Sequence, residues 1–581
     1  MSQLNALKSA GNLSDVARLL GFKPASLSYI LYIKPGATKY NKFHIPKRSG
    51  GTRQIRAPLD DLKLLQRRVA NLLQNCVDEI NKANNRSDDD EYPDRIAHGF
   101  KRKRSIITNA RQHKNRRFVF NVDIKDFFGS INFGRVRGYF VADKNFQLQS
   151  GVATVLAQIA CFENALPQGS PSSPIISNLI GHIIDIHIAK LSERVGCTYT
   201  RYADDLTFST NKPTFPNEIA KQIDGIEHSW LPGSELSHLI AKCGFALNPK
   251  KTRMQYRDSR QEVTGLIVNC KVNVRSEYRR TVRAMVHRLF TTGSFDFACR
   301  TIDQDGAATI HRASGRHTQL HGMLGFIDGV DLFNRGINPS VKTLPLSSKE
   351  LMYRRFLMFK EFYTAPAPIV ICEGKTDNVY ITHAIRSLAV QYPELADVNS
   401  AGRIFIKLRR FKYAGSSTGR ILRIYGGTGD LGSFIRTYRT DTSRFKAPGM
   451  RWPVMLLIDN DSGAKTIFNI IKEITRKKPD GSDPYTHIFG NLYLVMTPIL
   501  GGAGQSTIED CFDTATKNTV LSGKTFSPAN DYDKDTNYGK ADFAYKVVKP
   551  NAANIDFTGF KPILDRFVSV LGEHAKKFGY T

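Results

Sequence analysis

The sequence predicts a chain of at least two domains, an α+β domain followed by an α/β domain with an open parallel sheet. Its 581 residues are too many for a single hydrophobic core. Around Asn334 to Ser348 the apolar pattern gives way to Asn, Pro, Lys and Ser, as in a linker. In the second half, apolar runs end in acidic residues before a helix, which is typical of parallel sheets. We therefore expect domains at 1–335 and 366–581, joined by a linker and connecting helix over 336–365.

The charge balance favours nucleic acid as the partner. The chain has 83 Lys and Arg residues against 53 Asp and Glu residues, a formal net charge of +30. Such an excess suits a polyanion, although a merely soluble basic protein would show the same balance. Basic runs such as Lys101–Arg104 lie near the acidic residues described below. A long nucleic-acid interface explains both the large net positive charge and the position of the basic runs near the acidic residues.

Cysteine usage and the N-terminus predict a cytoplasmic protein. The eight cysteines include no Cys-x-x-Cys pair, which argues against a zinc site and a disulfide framework. The first residues resemble the start of an amphipathic helix without the apolar block of a signal peptide. No run approaches 18 uncharged apolar residues, so we expect no membrane span.

The first elements along the chain are short helices and an extended basic segment. Ser14–Leu20 and Pro24–Leu31 read as helices separated by Gly21, which we interpret as a packing extension rather than a helix-turn-helix. Thr52–Pro58 reads as an extended basic strand. The polar and acidic insert Asn81–Glu91 is expected to be a loop.

Two acidic segments form the first candidate site. Asp123 ends a short apolar strand that begins near Arg116. Asp204 and Asp205 lie between two runs of strand-forming residues, in a turn without the Asn-Gly or Asp-Gly of a relaxed hairpin. Adjacent carboxylates repel unless a cation lies between them, and two-metal phosphoryl transfer needs carboxylates from separate segments. The alternative for Asp123 is a strand end that caps the next helix, a role that Asp126 fills about as well.

Several motifs in this half resemble the reverse transcriptase palm, and more narrowly retron reverse transcriptases. The catalytic motifs are Asp123, the loop Pro167-Gln168-Gly169 and the Tyr-Ala-Asp-Asp sequence at 202–205, in that order. The retron-type elements are Asn-Ala-x-x-His at 109–113 and Val-Thr-Gly at 263–265. A further polymerase motif at 248–252 contains Lys251, and 319–326 resembles the start of the retron thumb. The resemblance covers about residues 1–335.

This resemblance implies a right-hand polymerase with fingers, palm and thumb, which uses two Mg²⁺ ions. The expected metal ligands and catalytic residues are Asp123, Asp204 and Asp205. The residues expected to bind nucleotide or template are Arg53, Arg56, Phe128, Gln168, Gly169 and Lys251, with Phe128 as a gate against a ribose 2′-OH. The residues expected to bind RNA are Asn109, His113, Val263, Thr264 and Gly265. The implied partners are deoxynucleoside triphosphates, a cognate non-coding RNA primed from an internal 2′-OH, and its branched RNA-linked single-stranded DNA product.

A second acidic site is predicted in 366–581. Glu373 follows the apolar run 368–372, Asp459 and Asp461 follow 453–458, and Glu509 comes after 492–496. Parallel strands meet at their carboxyl edge, so these acids should converge and bind a divalent cation. Gly374-Lys375-Thr376 is no P-loop, because the glycine required five residues earlier is Ile369. The glycine pattern 427–432 fits a dinucleotide fingerprint only weakly.

The acidic pattern resembles TOPRIM domains, and most closely those of overcoming-lysogenization-defect nucleases. The resemblance implies a nuclease dependent on Mg²⁺ or Mn²⁺ with Glu373, Asp459, Asp461 and Glu509 at its centre, and Lys540 as a late basic residue. It also implies an effector in anti-phage defence. Alternatives are a non-catalytic scaffold for the RNA–DNA product, or a group II intron-type mobility enzyme; Asp461 also suits a helix cap. The cognate RNA, the effector's substrate and trigger and the oligomeric state stay open, and a homo-oligomer is compatible with the sequence.

Overall fold

The computed structural model describes most of the chain in ten stretches. These are 2–47, 51–84, 96–223, 225, 228–302, 308–336, 345–412, 417–499, 504–529 and 531–579. Most of the loop predicted at Asn81–Glu91, and 337–344 of the predicted linker, lie outside the described residues. All statements below concern the described residues.

The chain divides by packing into two compact units. The first contains Met1–Tyr278 and Ala298–Arg312, and the second contains Arg279–Phe297 and Ala313–Thr581. The helix His317–Arg335, which its motif places in the first predicted domain, packs instead in the second unit, against the helix Ser348–Met358. The division by packing therefore lies earlier in the chain than the predicted boundary at 335.

The first unit is built from a central sheet, three hairpins and surrounding helices. Its sheet has the strand order Thr198–Tyr202, Asp205–Thr210, Phe118–Asp123 and Arg253–Tyr256, all antiparallel. Its hairpins are Tyr40–Pro46 with Thr52–Pro58, Ala220–Gln222 with Trp230–Pro232, and Glu262–Val263 with Leu266–Ile267. Its helices are Gln3–Ser9, Leu13–Leu19, Pro24–Ser28, Asp60–Ala83, Ile106–Arg111, Phe133–Ala142, Ser150–Ala160, Ser173–Arg194 and Ser234–Lys242. The α+β prediction agrees with this arrangement.

The core of the first unit lies between the central sheet and its helices. Phe120, Leu206 and Phe208 are buried on the sheet, in one apolar cluster with the helix Ser173–Arg194. That helix is the one described helix long and apolar enough to cross a membrane by length and composition alone. Of its most apolar stretch, 56% is buried inside the protein, as in a core helix.

The second unit is built around a five-stranded sheet. Its strand order is Arg409–Arg410, Ile369–Cys372, Val454–Ile458, Leu492–Met496 and Thr486–Phe489. The first four strands are parallel and the last is antiparallel, so the predicted open parallel sheet is confirmed as a mixed, mostly parallel one. Its helices are Ser276–Thr292 (which begins in the first unit), His317–Arg335, Ser348–Met358, Asp377–Ser387, Ser417–Leu422, Thr428–Thr442, Ala464–Thr475, Thr514–Lys517, Lys540–Asp542, Lys549–Asn551 and Lys561–Phe578.

Short paired strands complete the described fold. They are Asp296–Ile302 with Ala308–Ser314, Ala396–Val398 with Ile404–Ile406, and Thr525–Phe526 with Asn537–Tyr538. In the second unit, one face of the main sheet packs in an apolar cluster with the helices Asp377–Ser387 and Lys561–Phe578. Its parallel strands are buried throughout, which is why they read as continuous apolar runs rather than alternating ones.

Candidate functional sites

The central sheet of the first unit brings the three predicted acids together. Asp123 lies directly opposite Asp205 across the paired strands. The backbone N–H of Ile124 donates to the carbonyl of Asp204 at 2.9 Å, which ties the two segments together just beyond that pair. Asp123 is buried, while Asp205 remains accessible to solvent. The fold therefore places three carboxylates from two segments at one end of the sheet.

These carboxylates perturb one another. Partial burial and the charges of Asp204 and Asp123 raise the pKa of Asp205 to about 7. Burial and the charge of Asp123 also raise the pKa of Asp204. Asp205 stays accessible to solvent, so a cation can approach it. A bound cation would offset the neighbouring negative charges and so lower the pKa of Asp205 again. Lys251 offsets part of this repulsion, with its Nζ 2.6 Å from Oδ1 of Asp123.

The turn that carries Asp204 and Asp205 is held by a buried ion pair that the sequence analysis missed. Ala203 has a φ of 57°, which is unusual for a residue with a side chain. Arg201 donates to its carbonyl at 3.3 Å, and both atoms are buried. Arg201 also binds Asp185 through two hydrogen bonds of 2.8 and 2.7 Å, and each side chain of this pair is 1% exposed. The sequence contains one signal for this pair. Asp185 lies on an apolar helix, where its neighbours Ile184 and Ile188 are also buried.

Gly99 is a second residue that the sequence analysis missed. A Cβ at this position would lie 2.4 Å from the backbone N of Ala203. Two backbone hydrogen bonds hold the segment that contains Gly99. The backbone N–H of His98 donates to the carbonyl of Arg201, and the backbone N–H of Arg201 donates to the carbonyl of Ile96. Glycine at this position therefore lets a neighbouring backbone approach the acidic turn closely.

Four of the six residues predicted to bind nucleotide or template lie on two segments that contact each other, with Arg53 and Arg56 on one and Gln168 and Gly169 on the other. The N–H of Arg56 donates to the carbonyl of Gln168 at 2.8 Å. Gly169 has a φ of 111°, and a Cβ there would lie 2.8 Å from Cγ2 of Ile55. Arg56 is paired with Glu163 at 2.8 Å, whereas the charge of Arg53 slightly opposes the rise in the pKa of Asp204 that burial and Asp123 cause. Of the two arginines, Arg53 is thus the one whose charge acts on Asp204.

Phe128, five residues after Asp123 in the sequence, is half-buried. Its ring lies 5.7 Å from that of Phe127 and 6.1 Å from that of Phe100, measured between centroids. This packing restricts where the ring can move, as a steric gate requires. Its role as a gate stays a prediction.

The prediction that Asn109 and His113 contact RNA directly is corrected, because both side chains are fully buried. His113 lies 2.8 Å from Oγ of Ser209 and 2.7 Å from Oγ1 of Thr200, so it bridges the two strands of the acidic hairpin. Burial lowers its pKa to about 3 and keeps the ring neutral. This histidine supports the hairpin from inside the sheet.

The Val263–Gly265 segment forms the turn of a small hairpin. Val263 is buried, whereas Gly265 is exposed. Thr264 has a φ of 47° and donates from Oγ1 to the carbonyl of Ile106 at 3.3 Å, on the helix that carries Asn109. Direct RNA contact by Val263 is therefore also excluded by burial, while the exposed turn stays available to it.

The second unit also gathers its predicted acids, at the carboxyl edge of its sheet. The N–H of Asp459 donates to Oε2 of Glu373 at 3.2 Å, across adjacent parallel strands. Oδ1 of Asp459 accepts from the N–H of Ile508 at 2.9 Å, next to Glu509. Nζ of Lys540 lies 3.0 Å from Oε2 of Glu509. The structure thus joins four predicted residues from four separate segments.

Asp377 joins this second cluster, although the sequence analysis did not name it as a ligand. It is buried and accepts from the N–H of Gly374 at 2.7 Å. Burial and the charge of Glu509 raise its pKa to about 6, and burial with Asp377, Glu509 and Glu373 raises the pKa of Asp459 to about 8. The sequence signal for Asp377 as a member of this cluster is its position four residues after Glu373.

Asp461 lies in the turn that precedes the helix Ala464–Thr475. Its Oδ1 accepts from the N–H of Gly463 at 2.8 Å within this turn, but no side chain caps the helix itself, so the predicted capping role is not observed. Its charge also raises the pKa of Glu373, so it lies within electrostatic reach of the cluster.

Divalent cations fit the chemistry of both clusters. Among the described residues, no three acidic, histidine or cysteine side chains are arranged closely enough to hold a metal ion as they stand. The donors are nevertheless carboxylate oxygens, which Mg²⁺ and Mn²⁺ prefer, and most have raised pKa values that a cation would lower. Oε1 of Glu509 is buried without a hydrogen-bond partner, so it has an unused acceptor.

Comparison with known proteins identifies the family of the first half. A family model described as "Reverse transcriptase (RNA-dependent DNA polymerase)" matches residues 45–270. Retron Mx162 reverse transcriptase from Myxococcus xanthus is 32% identical over 312 residues, which cover 49% of this chain and 60% of that protein. Retron Mx65 reverse transcriptase, from the same organism, is 33% identical over 291 residues, covering 47% and 62%. The chain thus spans about three-fifths of the length of these two relatives.

A relative from Escherichia coli is covered more completely. Retron Ec86 reverse transcriptase is 31% identical over 282 residues, which cover 48% of this chain and 78% of that protein. A solved telomerase structure from Candida albicans is 11% identical and covers 70% of this chain and 65% of its own, but its TM-score of 0.30 is too low to bear on the fold. The residues matched by the family model, 45–270, contain the palm motifs in order. The chain belongs to the retron reverse transcriptases.

Proposed function

We propose that this chain is an RNA-directed DNA polymerase that copies its cognate retron RNA into single-stranded DNA. The observation that carries the proposal is the convergence of Asp123, Asp204 and Asp205 in a member of a reverse transcriptase family. Two Mg²⁺ ions, when bound by these carboxylates, would activate the attacking hydroxyl and neutralise the leaving pyrophosphate.

The surrounding residues would position the substrates. Lys251 orients Asp123 through their ion pair, and Arg53 supplies positive charge on the side of Asp204. Phe128 would exclude a ribose 2′-OH and so favour deoxynucleotides. The Gln168–Gly169 backbone, fixed against the Thr52–Pro58 strand, would form a rigid wall for the template.

The template and product follow from the family. The template would be a structured non-coding RNA, primed from the 2′-OH of an internal guanosine. The product would be a branched, RNA-linked single-stranded DNA that stays bound. The retron relatives favour this reading over a group II intron-type mobility enzyme.

The test is a double substitution of the acidic turn. Asp204→Asn with Asp205→Asn should abolish DNA synthesis on the native RNA with Mg²⁺, yet leave RNA binding nearly intact, because phosphate contacts elsewhere supply most of the affinity. The matched control is Asp60→Asn with Asp61→Asn, an exposed adjacent pair at a helix start. Normal DNA yield from the first variant would remove this turn as the polymerase centre.

The acidic cluster of the second unit supports a second function, a metal-dependent nuclease that acts as an anti-phage effector. Three acids from separate segments and Lys540 converge at a carboxyl sheet edge, where ligand sites of open parallel sheets lie. A scaffold that only binds the RNA–DNA product is the alternative. The effector would be silent while the DNA product is bound and active when phage proteins disturb that product.

Toxicity in cells separates the two alternatives. Glu373→Ala should abolish toxicity without changing the yield of DNA, since Glu373 lies in the second unit and the polymerase acids in the first. A variant that stays as toxic as the wild type would leave the unit as a binding platform. Folding of the second unit in this variant is checked by unchanged hydrogen exchange in its strands Val454–Ile458 and Leu492–Met496, because the DNA yield reports only on the first unit.

A further inference from the structure

A group of four basic side chains lies beside the acidic cluster of the second unit. They come from three segments: Arg410 on the edge strand, His383 and Arg386 on the helix Asp377–Ser387, and Lys549 at the start of the helix Lys549–Asn551. We call them the basic patch. We propose that the basic patch binds a backbone phosphate of a nucleic-acid strand, which deepens and rests on the nuclease function proposed above.

The sheet register places Arg410 beside the helix. Arg410 is paired with Val370, and residues in register on neighbouring strands project to the same face. Val370 packs in the same apolar cluster as Tyr380 and Ala384 of the helix Asp377–Ser387. Arg410 therefore projects to the face that this helix covers, at the open edge of the sheet.

The remaining members of the patch surround this edge. His383 and Arg386 are three residues apart, so they lie on the same side of the helix. The segment Phe543–Val548 packs against that helix and leads directly into Lys549. Arg386 and Lys549 are exposed, whereas His383 and Arg410 are half-buried.

The patch has positive charge without a matching carboxylate. Nη1 of Arg410 is buried and has no hydrogen-bond partner among the described residues. Burial and the charge of Arg386 lower the pKa of Arg410, and burial with the charges of Arg386, Lys549 and Arg410 lowers the pKa of His383. Within the described part of the chain, none of the charges that shift these two pKa values belongs to a carboxylate. A bound anion would supply the negative charge that the basic patch lacks.

A nucleic-acid strand fits better than a free phosphate ion. Tyr545 is 55% exposed, and Nζ of Lys549 lies 5.8 Å from its ring centroid, so an aromatic face for base stacking adjoins the patch. Val370 precedes Glu373 by three residues, about 10 Å along an extended strand. That distance corresponds to about three stacked nucleotides. A strand with one phosphate on the patch can therefore reach the acidic cluster.

Hydrogen exchange on the full chain tests this site. The protein carries Glu373→Ala to prevent cleavage and is mixed with a single-stranded DNA or RNA of about 12 nucleotides. Exchange should slow several-fold in 377–387 and 543–551. Arg386→Glu with Lys549→Glu should remove that slowing, and both residues are exposed, so the fold should tolerate the change. Lys472→Glu with Lys478→Glu, the same charge change on exposed residues outside the patch, should not.

Each outcome bears on the proposal. Slowing with only one of the two oligonucleotides would identify the substrate as DNA or RNA. Absence of slowing in both segments, or slowing that survives the Arg386 and Lys549 reversal, would overturn the site. Protected segments in a wild-type protein that was produced without its retron RNA, and so carries no DNA product, but cleaves neither oligonucleotide with Mn²⁺ present would keep the site and reject the nuclease, which separates the two failures.

Discussion

The buried pair between Asp185 and Arg201 leads to the prediction that the structure constrains best. Asp185→Asn keeps the shape of the side chain but leaves the Arg201 guanidinium charged and 1% exposed. Removing one partner of a buried ion pair typically costs about 3–5 kcal/mol, because the remaining charge stays desolvated. The surface pair between Arg194 and Glu235, with side chains 58% and 36% exposed, should be worth less than about 1 kcal/mol.

Thermal unfolding measures this difference. For a unit of this size, about 3–5 kcal/mol corresponds to a fall in Tm of roughly 5–10 °C. The transition of the first unit is followed by hydrogen exchange in 198–210, since two units need not unfold together. Glu235→Gln is the matched control, and its Tm should change by no more than about 2 °C.

A compensated double variant separates stability from catalysis. Asp185→Leu with Arg201→Met removes both charges and should recover most of the lost stability. It also removes the donor to the Ala203 carbonyl, so the acidic turn is less fixed and DNA synthesis should stay low. If Asp185→Asn shifts Tm no more than Glu235→Gln does, the buried pair does not hold the turn and the reasoning is refuted.

Three further predictions concern the hairpin 198–210 and two residues that contact it, Gly99 and His113. Because the pKa of Asp205 is raised to about 7, the folded, metal-free protein retains a proton that the unfolded chain loses near pH about 4. The stability of the folded protein should therefore fall as pH rises from about 4 to about 7, while its Mg²⁺ affinity rises towards pH about 7. Calorimetry that finds the same unfolding stability across this pH range would contradict the prediction. Gly99→Ala should sharply reduce DNA synthesis, since its Cβ would meet the Ala203 backbone, whereas Gly138→Ala meets nothing within 4 Å and should stay active. His113→Ala should lower the free energy of unfolding by about 2–3 kcal/mol, because its two buried partners lose hydrogen bonds. The preference for the cognate RNA over a generic primed template should not change. Loss of that preference at an unchanged Tm would restore a direct role of His113 in RNA binding.

Much of both sites is determined by local sequence. The strands that carry Asp123 and the acidic turn are defined by apolar and β-branched runs a few residues long. The continuous apolar runs before Glu373 and Asp459 indicate parallel strands, and parallel strands bring their carboxyl ends to one edge. Both acidic clusters could therefore be predicted without coordinates.

Burial and long-range partners were decided only by the tertiary structure. His113 has a motif typical of function, yet packing between two strands makes it an internal support. The pairing of Asp185 with Arg201, and of Glu509 with Lys540, joins residues 16 and 31 positions apart. Local spacing cannot specify such pairs, because side-chain periodicity sets only which face of an element a residue occupies. Which faces meet depends on how the apolar surfaces of the whole unit pack together.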